Sequence, residues 1–205
     1  MKLAIALFAL LVVQLSAVGA PVQCNSIASE LNTMVQVDQA LRERIDYENL
    51  PKVDLKESDL PRLFQHIALV DRVHEARLAR IISTCGWPKK SVHGEHATGD
   101  AWLLAQHASA KLQRRFLPLL QAAVKAGEVS GSNLAYLADR VALKEGSPQL
   151  YGTQFNQKAP CEFELYRIDD RRRVNERRKK AGMPSLEEYE SQFREFLSTR
   201  GCPAR

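Results

Sequence analysis

The sequence predicts a protein that is all-α or nearly so, built as a bundle of about six helices with a small β-hairpin near residues 149–167. Three observations support this prediction. Apolar residues recur at intervals of three and four, which is the spacing of one helix face. Ser, Asp or Asn residues precede these stretches, and Gly or Pro residues follow them, as at helix starts and stops. Neither an internal repeat nor a low-complexity linker interrupts the chain.

The first twenty residues have the pattern of a cleavable signal peptide. Lys2 precedes an unbroken apolar run at 3–13, and small residues up to Ala20 follow. The run is shorter than the ~20 residues that a bilayer span requires, and charges interrupt every later apolar stretch. We therefore expect a signal peptide at 1–20, no membrane span, and a single helical domain at 21–205 that is exported to the periplasm or secreted.

Six helices follow from the start and stop signals in the mature chain. Their predicted spans are 26–47, 59–84, 99–115, 118–127, 132–145 and a last helix after Ser185. Pro118 is expected to begin the fourth helix, because proline is tolerated in a first turn. Ser185 and Glu188 have the spacing of a capping box. The β-leaning segments 149–155 and 161–165 predict the hairpin.

A carboxylate interrupts the apolar face of the first helix. The face consists of Ile27, Leu31, Met34, Leu41 and Ile45. Asp38 occupies the position that this spacing leaves for one more apolar residue. A buried carboxylate is costly unless it is paired, and Arg42, one turn later, can pair with it.

The second helix repeats this pattern. Its apolar face consists of Leu60, Phe64, Ile67, Leu78 and Ile81. Asp71 and His74 occupy the gap, and a short loop at 48–57 favours antiparallel helices that bring Asp38 level with Asp71. The sequence thus predicts one polar layer that also contains Arg42. Such a layer either fixes the helix register as a buried ion network or lines a pocket with shifted pKa values.

The four cysteines predict two disulfides in an oxidising compartment. Cys24 precedes the first helix and Cys85 follows the second, so an antiparallel pair of helices brings these two together. Cys161, beside the predicted hairpin, is then left to pair with Cys202 after the last helix. We therefore predict Cys24–Cys85 and Cys161–Cys202 among the three connectivities that four cysteines allow.

Four short motifs follow one another between residues 86 and 154. They are GWP at 86–88, QHA at 106–108, DRV at 139–141 and YGTQ at 151–154. In this order they resemble a bacterial family of unknown function, and the resemblance extends over nearly the whole mature chain. Asp38, Gln39 and Arg42 are similar to the opening motif of that family. The resemblance implies a bacterial helical domain and brings no activity with it.

The polar layer and the resemblance together give ten candidates for a ligand pocket. They are Asp38, Gln39, Arg42, Asp71, His74, His107, Arg140, Gln149, Tyr151 and Gln154. Structural roles are open for the last five, which come from the resemblance. His107 can be a satisfied core histidine, Asp139 and Arg140 can form an ion pair on a helix surface, and Tyr151 and Gln154 can fix a turn.

Composition narrows the classes of function without choosing an enzyme or a binding protein. The net charge of +5 is concentrated in the basic run 167–180, which is a solvated helix face or a contact for a protein partner. No aromatic residues interleave with its arginines, which argues against nucleic acid.

We favour a protein that binds a small polar or anionic ligand without a cofactor. The alternatives are a hydrolase that uses His/Asp acid–base chemistry or a metal held by Asp38, Asp71, His74 and His107, and a periplasmic inhibitor or immunity protein that acts by surface contact.

Overall fold

A computed structural model describes residues 19–43, 59–159, 161–199 and 202. These residues form eight α-helices and one two-stranded antiparallel sheet, which confirms the predicted fold class. The elements are α1 (Ile27–Arg42), α2 (Leu60–Cys85), α3 (Lys90–His93), α4 (Glu95–His107), α5 (Ala110–Lys125), α6 (Gly131–Lys144), β1 (Phe155–Ala159), β2 (Glu162–Leu165), α7 (Val174–Lys180) and α8 (Leu186–Thr199). A 3-10 helix, Arg171–Arg173, precedes α7.

Several predicted segments lie outside this description. The apolar part of the predicted signal peptide, the predicted end of the first helix near Tyr47 and the loop at 48–57 are among them. Within the described ranges, no helix has both the length and the apolar character that crossing a membrane requires.

The described residues divide into two compact units. The first contains 19–43 and 59–112, and the second contains 113–159, 161–199 and 202. The prediction of a single domain at 21–205 stays a prediction.

Each unit contains one disulfide, and both predicted pairings are confirmed. Cys24 and Cys85 are bonded in the first unit, with their Cα atoms 5.6 Å apart. Cys161 and Cys202 are bonded in the second unit, with a Cα separation of 5.4 Å. Both separations lie in the range that disulfide geometry requires.

The core of the first unit forms where α1, α2 and α4 pack against one another. Fully buried residues on these helices include Ile27, Leu31, Leu78, Ile81, Ala101 and Ala105. The predicted apolar face of α1 is buried over its described length, and Asp38 is buried with it.

The predicted apolar face of α2 is wrong at one position. Phe64 is 47% exposed, whereas Leu63 is buried and clusters with Leu41, Ile67 and Val70. The buried face reaches Ile67 by a step of four residues from Leu63. Phe64 is rotated out of that face by the roughly 100° that separates neighbouring residues of a helix.

The predicted boundary between the third and fourth helices, at 115–118, is also wrong. The break lies at Ala108, which has an extended backbone, and α5 then runs through Pro118. Pro118 is solvent-exposed, so the helix gives up one hydrogen bond on its outer side and continues. The break itself carries no Gly or Pro in the sequence that would have indicated it.

The second unit builds its core from α5, α6, α7 and α8. Phe116, Leu120, Leu137, Val174 and Leu186 are at most 1% exposed. The capping box before α8 is confirmed, since the backbone N–H of Ser185 donates to Glu188 Oε2 and that of Glu188 donates to Ser185 Oγ.

The hairpin begins later than the sequence predicts. Phe155 pairs with Leu165 at its open end. Gln149 instead forms an isolated bridge with Ile168, and residues 150–154 bend without regular structure, so 149–154 are a turn segment and not the first strand. The ring of Phe155 stacks on Phe193 of α8 at a centroid distance of 4.2 Å, which attaches the hairpin to that helix.

Candidate functional site

A buried carboxylate on α1 is the centre of the polar cluster in the first unit. Asp38 is 2% exposed. Its oxygens accept hydrogen bonds from Arg42 Nε at 3.1 and 3.2 Å and from Gln39 Nε2 at 2.7 Å. The helical spacing of α1 places Asp38 on the core face, and Arg42, one turn later, reaches back to it. We call Asp38, Gln39, Arg42, Asp71 and His107 the Asp38 cluster.

Arg42 connects the two helices through their carboxylates. Its Nη2 donates to Asp71 Oδ1 of α2, while its Nε donates to Asp38. The side chains of Arg42 and Asp71 are 18% and 25% exposed, compared with 1% for Asp38. Asp38 is therefore the buried member of the cluster, and Arg42 and Asp71 are its partly accessible members. The predicted polar layer contains these three residues.

His107, the last residue of α4, completes the cluster. Its Nδ1 lies 3.1 Å from Asp38 Oδ1, and its side chain is 22% exposed. Ala105 and Ala108, which lie close to His107 in the sequence, are buried and have small side chains. The bond to Asp38 orients the ring and leaves Nε2 as the nitrogen that Asp38 does not engage. In the part of the chain that the structure describes, Nε2 has no hydrogen-bond partner.

The two carboxyl groups of the cluster have pKa values shifted in opposite directions. Burial alone would raise the pKa of Asp38, but the hydrogen bond and charge of His107, with the charge of Arg42, lower it. Burial raises the pKa of Asp71, and the single contact with Arg42 does not offset this. Asp38 is therefore the fixed negative charge, and Asp71 is the carboxyl that more readily takes a proton.

His74 is a buried neutral ring near enough to interact electrostatically with Asp38, Arg42 and His107. It is 3% exposed, and burial lowers its pKa to about 4, against the opposing charge of Asp38. An imidazole with this pKa is uncharged near neutral pH and is a weak base. His74 thus belongs to the predicted layer as a buried neutral member.

Three members of the cluster could ligate a metal ion. Asp38, Asp71 and His107 each offer one ligand atom, and these atoms lie within 4.8 Å of one another. His74, the fourth residue of the predicted metal set, is not in this group. The guanidinium of Arg42 already donates to both carboxylates, so a cation would have to displace a positive charge that is in place. The donor set therefore fits a metal ion poorly.

The other predicted site residues belong to the second unit, where a different buried carboxylate organises them. Asp139 of α6 is fully buried and accepts hydrogen bonds from the backbone N–H groups of Leu150, Tyr151 and Thr153 at 2.7 to 3.0 Å. The Thr153 hydroxyl donates to it at 2.9 Å. An ion pair of Asp139 with Arg140 on a helix surface is therefore wrong.

Gln149 closes the same turn from the inside. It is fully buried, its Nε2 donates to the carbonyls of Tyr166 and Gln154, and its Oε1 accepts from the Gln154 N–H. All its side-chain contacts are with main chain, so Gln149 holds the turn. Tyr151 is half-buried, and burial raises the pKa of its phenol.

Two arginines of the basic run have structural contacts that the sequence did not indicate. Arg178 is fully buried, donates from Nε to Pro184 O and from Nη1 to Tyr151 O at 2.7 Å, and lies over the Tyr189 ring. Arg177 donates to the carbonyl of Leu150 at 2.7 Å. The interpretation of 167–180 as a wholly solvated face is wrong at these positions. A run of basic residues contains no sequence signal that separates its buried arginines from its exposed ones.

The predicted site residues thus form two groups, one in each compact unit. The first is the Asp38 cluster with His74. The second contains Arg140, Gln149, Tyr151 and Gln154 around the turn that Asp139 holds.

Comparison with known proteins identifies one family. Residues 25–198 match a family described as "Family of unknown function (DUF6624)". No curated protein and no solved structure matches the chain. The match confirms the resemblance that the motifs indicate, and it brings no activity with it.

Proposed function

Since the chain belongs to the DUF6624 family, whose function is unknown, we propose its function from its own residues: it binds a small polar ligand at the Asp38 cluster. One observation carries this proposal. His107 Nε2 and Asp71 Oδ2 belong to partly exposed side chains and make no hydrogen bond within the described residues. They are one imidazole nitrogen and one carboxylate oxygen held beside a buried charge, which suits a ligand with complementary polar groups.

The charges of the cluster favour a ligand that donates hydrogen bonds. Asp38 and Asp71 bring two carboxyl groups, Arg42 brings one positive charge, and His74 is neutral because its pKa is about 4. Arg42 already donates to both carboxylates, so it is a poor clamp for an added anion. An amine, an amide or a hydroxyl compound fits Asp71 better than an anion does.

The binding experiment uses the full chain with its disulfides intact. Methylamine, acetamide and ethanolamine serve as probes in calorimetric titrations at pH 7. We expect at least one of them to bind wild type and to bind His107→Gln about tenfold more weakly, the loss expected for one hydrogen bond to a charged or polar partner. Glutamine keeps a donor for Asp38 but lacks the imidazole nitrogen.

A variant of the exposed basic residues is the matched control. Arg171, Arg172 and Arg173 have side chains that are 62%, 93% and 66% exposed, so their combined change to alanine should leave probe binding unchanged. Equal binding by wild type and His107→Gln would refute the proposal. If the triple variant alone lost function in the cell, a protein contact through the run 167–180 would be favoured.

Hydrolysis is the second candidate, and the bond between Asp38 and His107 favours it. A carboxylate on Nδ1 orients the ring and leaves Nε2 available to act as a general base. With p-nitrophenyl acetate as the probe, His107→Gln should abolish any turnover above background. Unchanged turnover in that variant, or a stoichiometric metal lost on Asp71→Asn, would contradict metal-free catalysis by His107.

We further propose that the chain is a bacterial protein that works outside the cytoplasm. Its two disulfides support this, because disulfides persist in oxidising compartments. The signal-peptide pattern at 1–20 supports it independently. Sequencing the N-terminus of the exported protein should give a start near Pro21, and an intact Met1 would contradict cleavage.

A further inference from the structure

A cavity of about 390 Å³ lies in the second unit beside the last turns of α6. Its lining consists of Arg140, Leu143, Lys144, Gln154, Phe155 and Tyr166. The three α6 residues are spaced at i, i+3 and i+4, so they share one helix face. The others come from the start of β1 and from the residue after β2. We call this space the Arg140 cavity, and its volume is that of a site for a small molecule.

The charges that line the Arg140 cavity are all positive. Arg140 and Lys144 are cationic, and none of the six lining residues is acidic. The Nε atom of Arg140 is buried and has no hydrogen-bond partner. Across the residues that the structure describes, Arg140 forms neither a hydrogen bond nor an ion pair with the protein.

Arg178, the fully buried arginine of this unit, shows how main chain can satisfy a guanidinium, although its Nη2 also has no partner in the described residues. Arg140 is only partly buried, and its Nε is the buried atom. Arg178 also has no acidic partner in the described residues, but its Nε and Nη1 donate to main-chain carbonyls. Arg140 has no such acceptor, and burial lowers its pKa. A desolvated cation without a partner is costly, and an anion beside it would offset that cost.

We propose that the Arg140 cavity is a binding site for a small organic anion, a carboxylate or a phosphate monoester, whose charged group pairs with Arg140 and Lys144. Leu143 and Phe155 supply apolar contact for the carbon part of the ligand. Gln154 donates from Nε2 to Thr153 Oγ1 at 2.9 Å, so its Oε1 is the side-chain atom that can accept from the ligand. All residues of this site belong to the second unit, whereas the Asp38 cluster belongs to the first.

The test measures binding of benzoate and phenyl phosphate to the full oxidised chain at constant ionic strength. Benzylamine is the matched cationic probe, and inorganic phosphate separates a plain anion site from one that needs the apolar part. We expect at least one aromatic anion to bind more tightly than both inorganic phosphate and benzylamine. The tighter of benzoate and phenyl phosphate decides between the two classes of anion.

Variants connect the binding to the cavity. Arg140→Gln should weaken binding of the aromatic anion at least about tenfold, and Lys144→Gln should weaken it about threefold, because Lys144 is exposed. Arg171→Gln removes an exposed cation from the same unit and should leave the affinity unchanged. His107→Gln should also leave it unchanged, which separates this site from the proposed function of the Asp38 cluster.

The stability of the unliganded protein gives a second readout. Removing a partly buried guanidinium that has no hydrogen bond or ion pair in the described residues should leave the melting temperature of Arg140→Met equal to or above that of wild type, whereas a structural arginine would lower it. The proposal is overturned if neither anion binds, if benzylamine binds as tightly, if all variants bind alike, or if Arg140→Met melts well below wild type.

Discussion

Asp38 and Asp139 are two buried carboxylates that the protein satisfies in different ways. The partners of Asp38 are the side chains of Gln39, Arg42 and His107. The partners of Asp139 are three backbone N–H groups and one hydroxyl. Cationic partners lower the pKa of Asp38, whereas burial among neutral donors raises the pKa of Asp139. A carboxylate held by side chains can share them with a ligand, whereas one held by main chain fixes a turn.

The largest effect should come from removing the carboxylate that holds the turn. Asp139→Ala leaves three N–H groups without an acceptor, of which that of Thr153 is buried and those of Leu150 and Tyr151 are partly buried. It also leaves the buried Thr153 hydroxyl unpaired, and each unsatisfied donor costs up to about 1 to 3 kcal/mol. We expect the free energy of unfolding to fall by about 4 to 5 kcal/mol, measured by urea denaturation. A loss below about 1 kcal/mol would mean that residues 150–153 find other acceptors and that the turn does not depend on Asp139.

A smaller loss is expected at the cluster. Asp38→Ala removes one partner of Arg42 and of His107, but both side chains are partly exposed and can reach water. We expect a loss of about 3 kcal/mol, the lower end for a buried pair broken on one side. A loss as large as that of Asp139→Ala would indicate that the cluster is mainly a structural ion network.

Lowering the pH should destabilise the first unit through His74. Its folded-state pKa of about 4 lies below the ordinary 6.5, so the unfolded chain binds the proton more tightly. The free energy of unfolding is therefore unaffected by His74 above pH 6.5. It falls by about 2 to 3 kcal/mol as the pH is lowered from 6.5 towards 4. Unfolding at pH 7 and 4.5 should show this difference in wild type and not in His74→Leu. Equal pH dependence in both proteins would contradict a buried neutral His74.

The smallest effects should come from single neutral donors to each carboxylate. Thr153→Val removes a buried hydroxyl that donates to Asp139 and should cost about 2 kcal/mol. Gln39→Ala removes a partly exposed amide that donates to Asp38 and should cost about 1 kcal/mol. Chemical denaturation measures the loss in the free energy of unfolding for both variants. A larger loss for Gln39→Ala than for Thr153→Val would mean that the Asp38 cluster is more rigid than the turn that Asp139 holds.

The sequence predicted the Asp38 cluster because periodicity carries information about burial. A carboxylate in the gap of an apolar stripe has to be buried, and an arginine one turn later identifies its partner. The same reasoning placed Asp71 level with Asp38 and paired Cys24 with Cys85. It also failed within α2, where steps of three and four residues from Leu60 are both regular, and Leu63 rather than Phe64 is buried.

The second unit was less predictable because main-chain contacts hold its polar residues. Asp139 lies on a helix whose other buried residues are Ala135, Leu137 and Val141. These positions and Asp139 recur at every second residue and do not follow the three-and-four spacing of a helix face, so the burial of Asp139 has no periodic signature. Arg178 stands in a run of basic residues, and its partners are carbonyl groups, which every residue has. Local sequence patterns do not encode which carbonyls a folded chain brings to one guanidinium.

The order of the cysteines has a consequence for how the chain matures. Of the three connectivities that four cysteines allow, the observed one alone has loops that neither nest nor cross. If the chain is exported N-terminus first, as we propose, it presents Cys24, Cys85, Cys161 and Cys202 to the oxidising compartment in that order. Joining each cysteine to the next one to arrive yields the native bonds, so maturation requires no exchange through mixed disulfides. Correct oxidation is then a matter of timing, and a host without a disulfide isomerase should produce the native pairing.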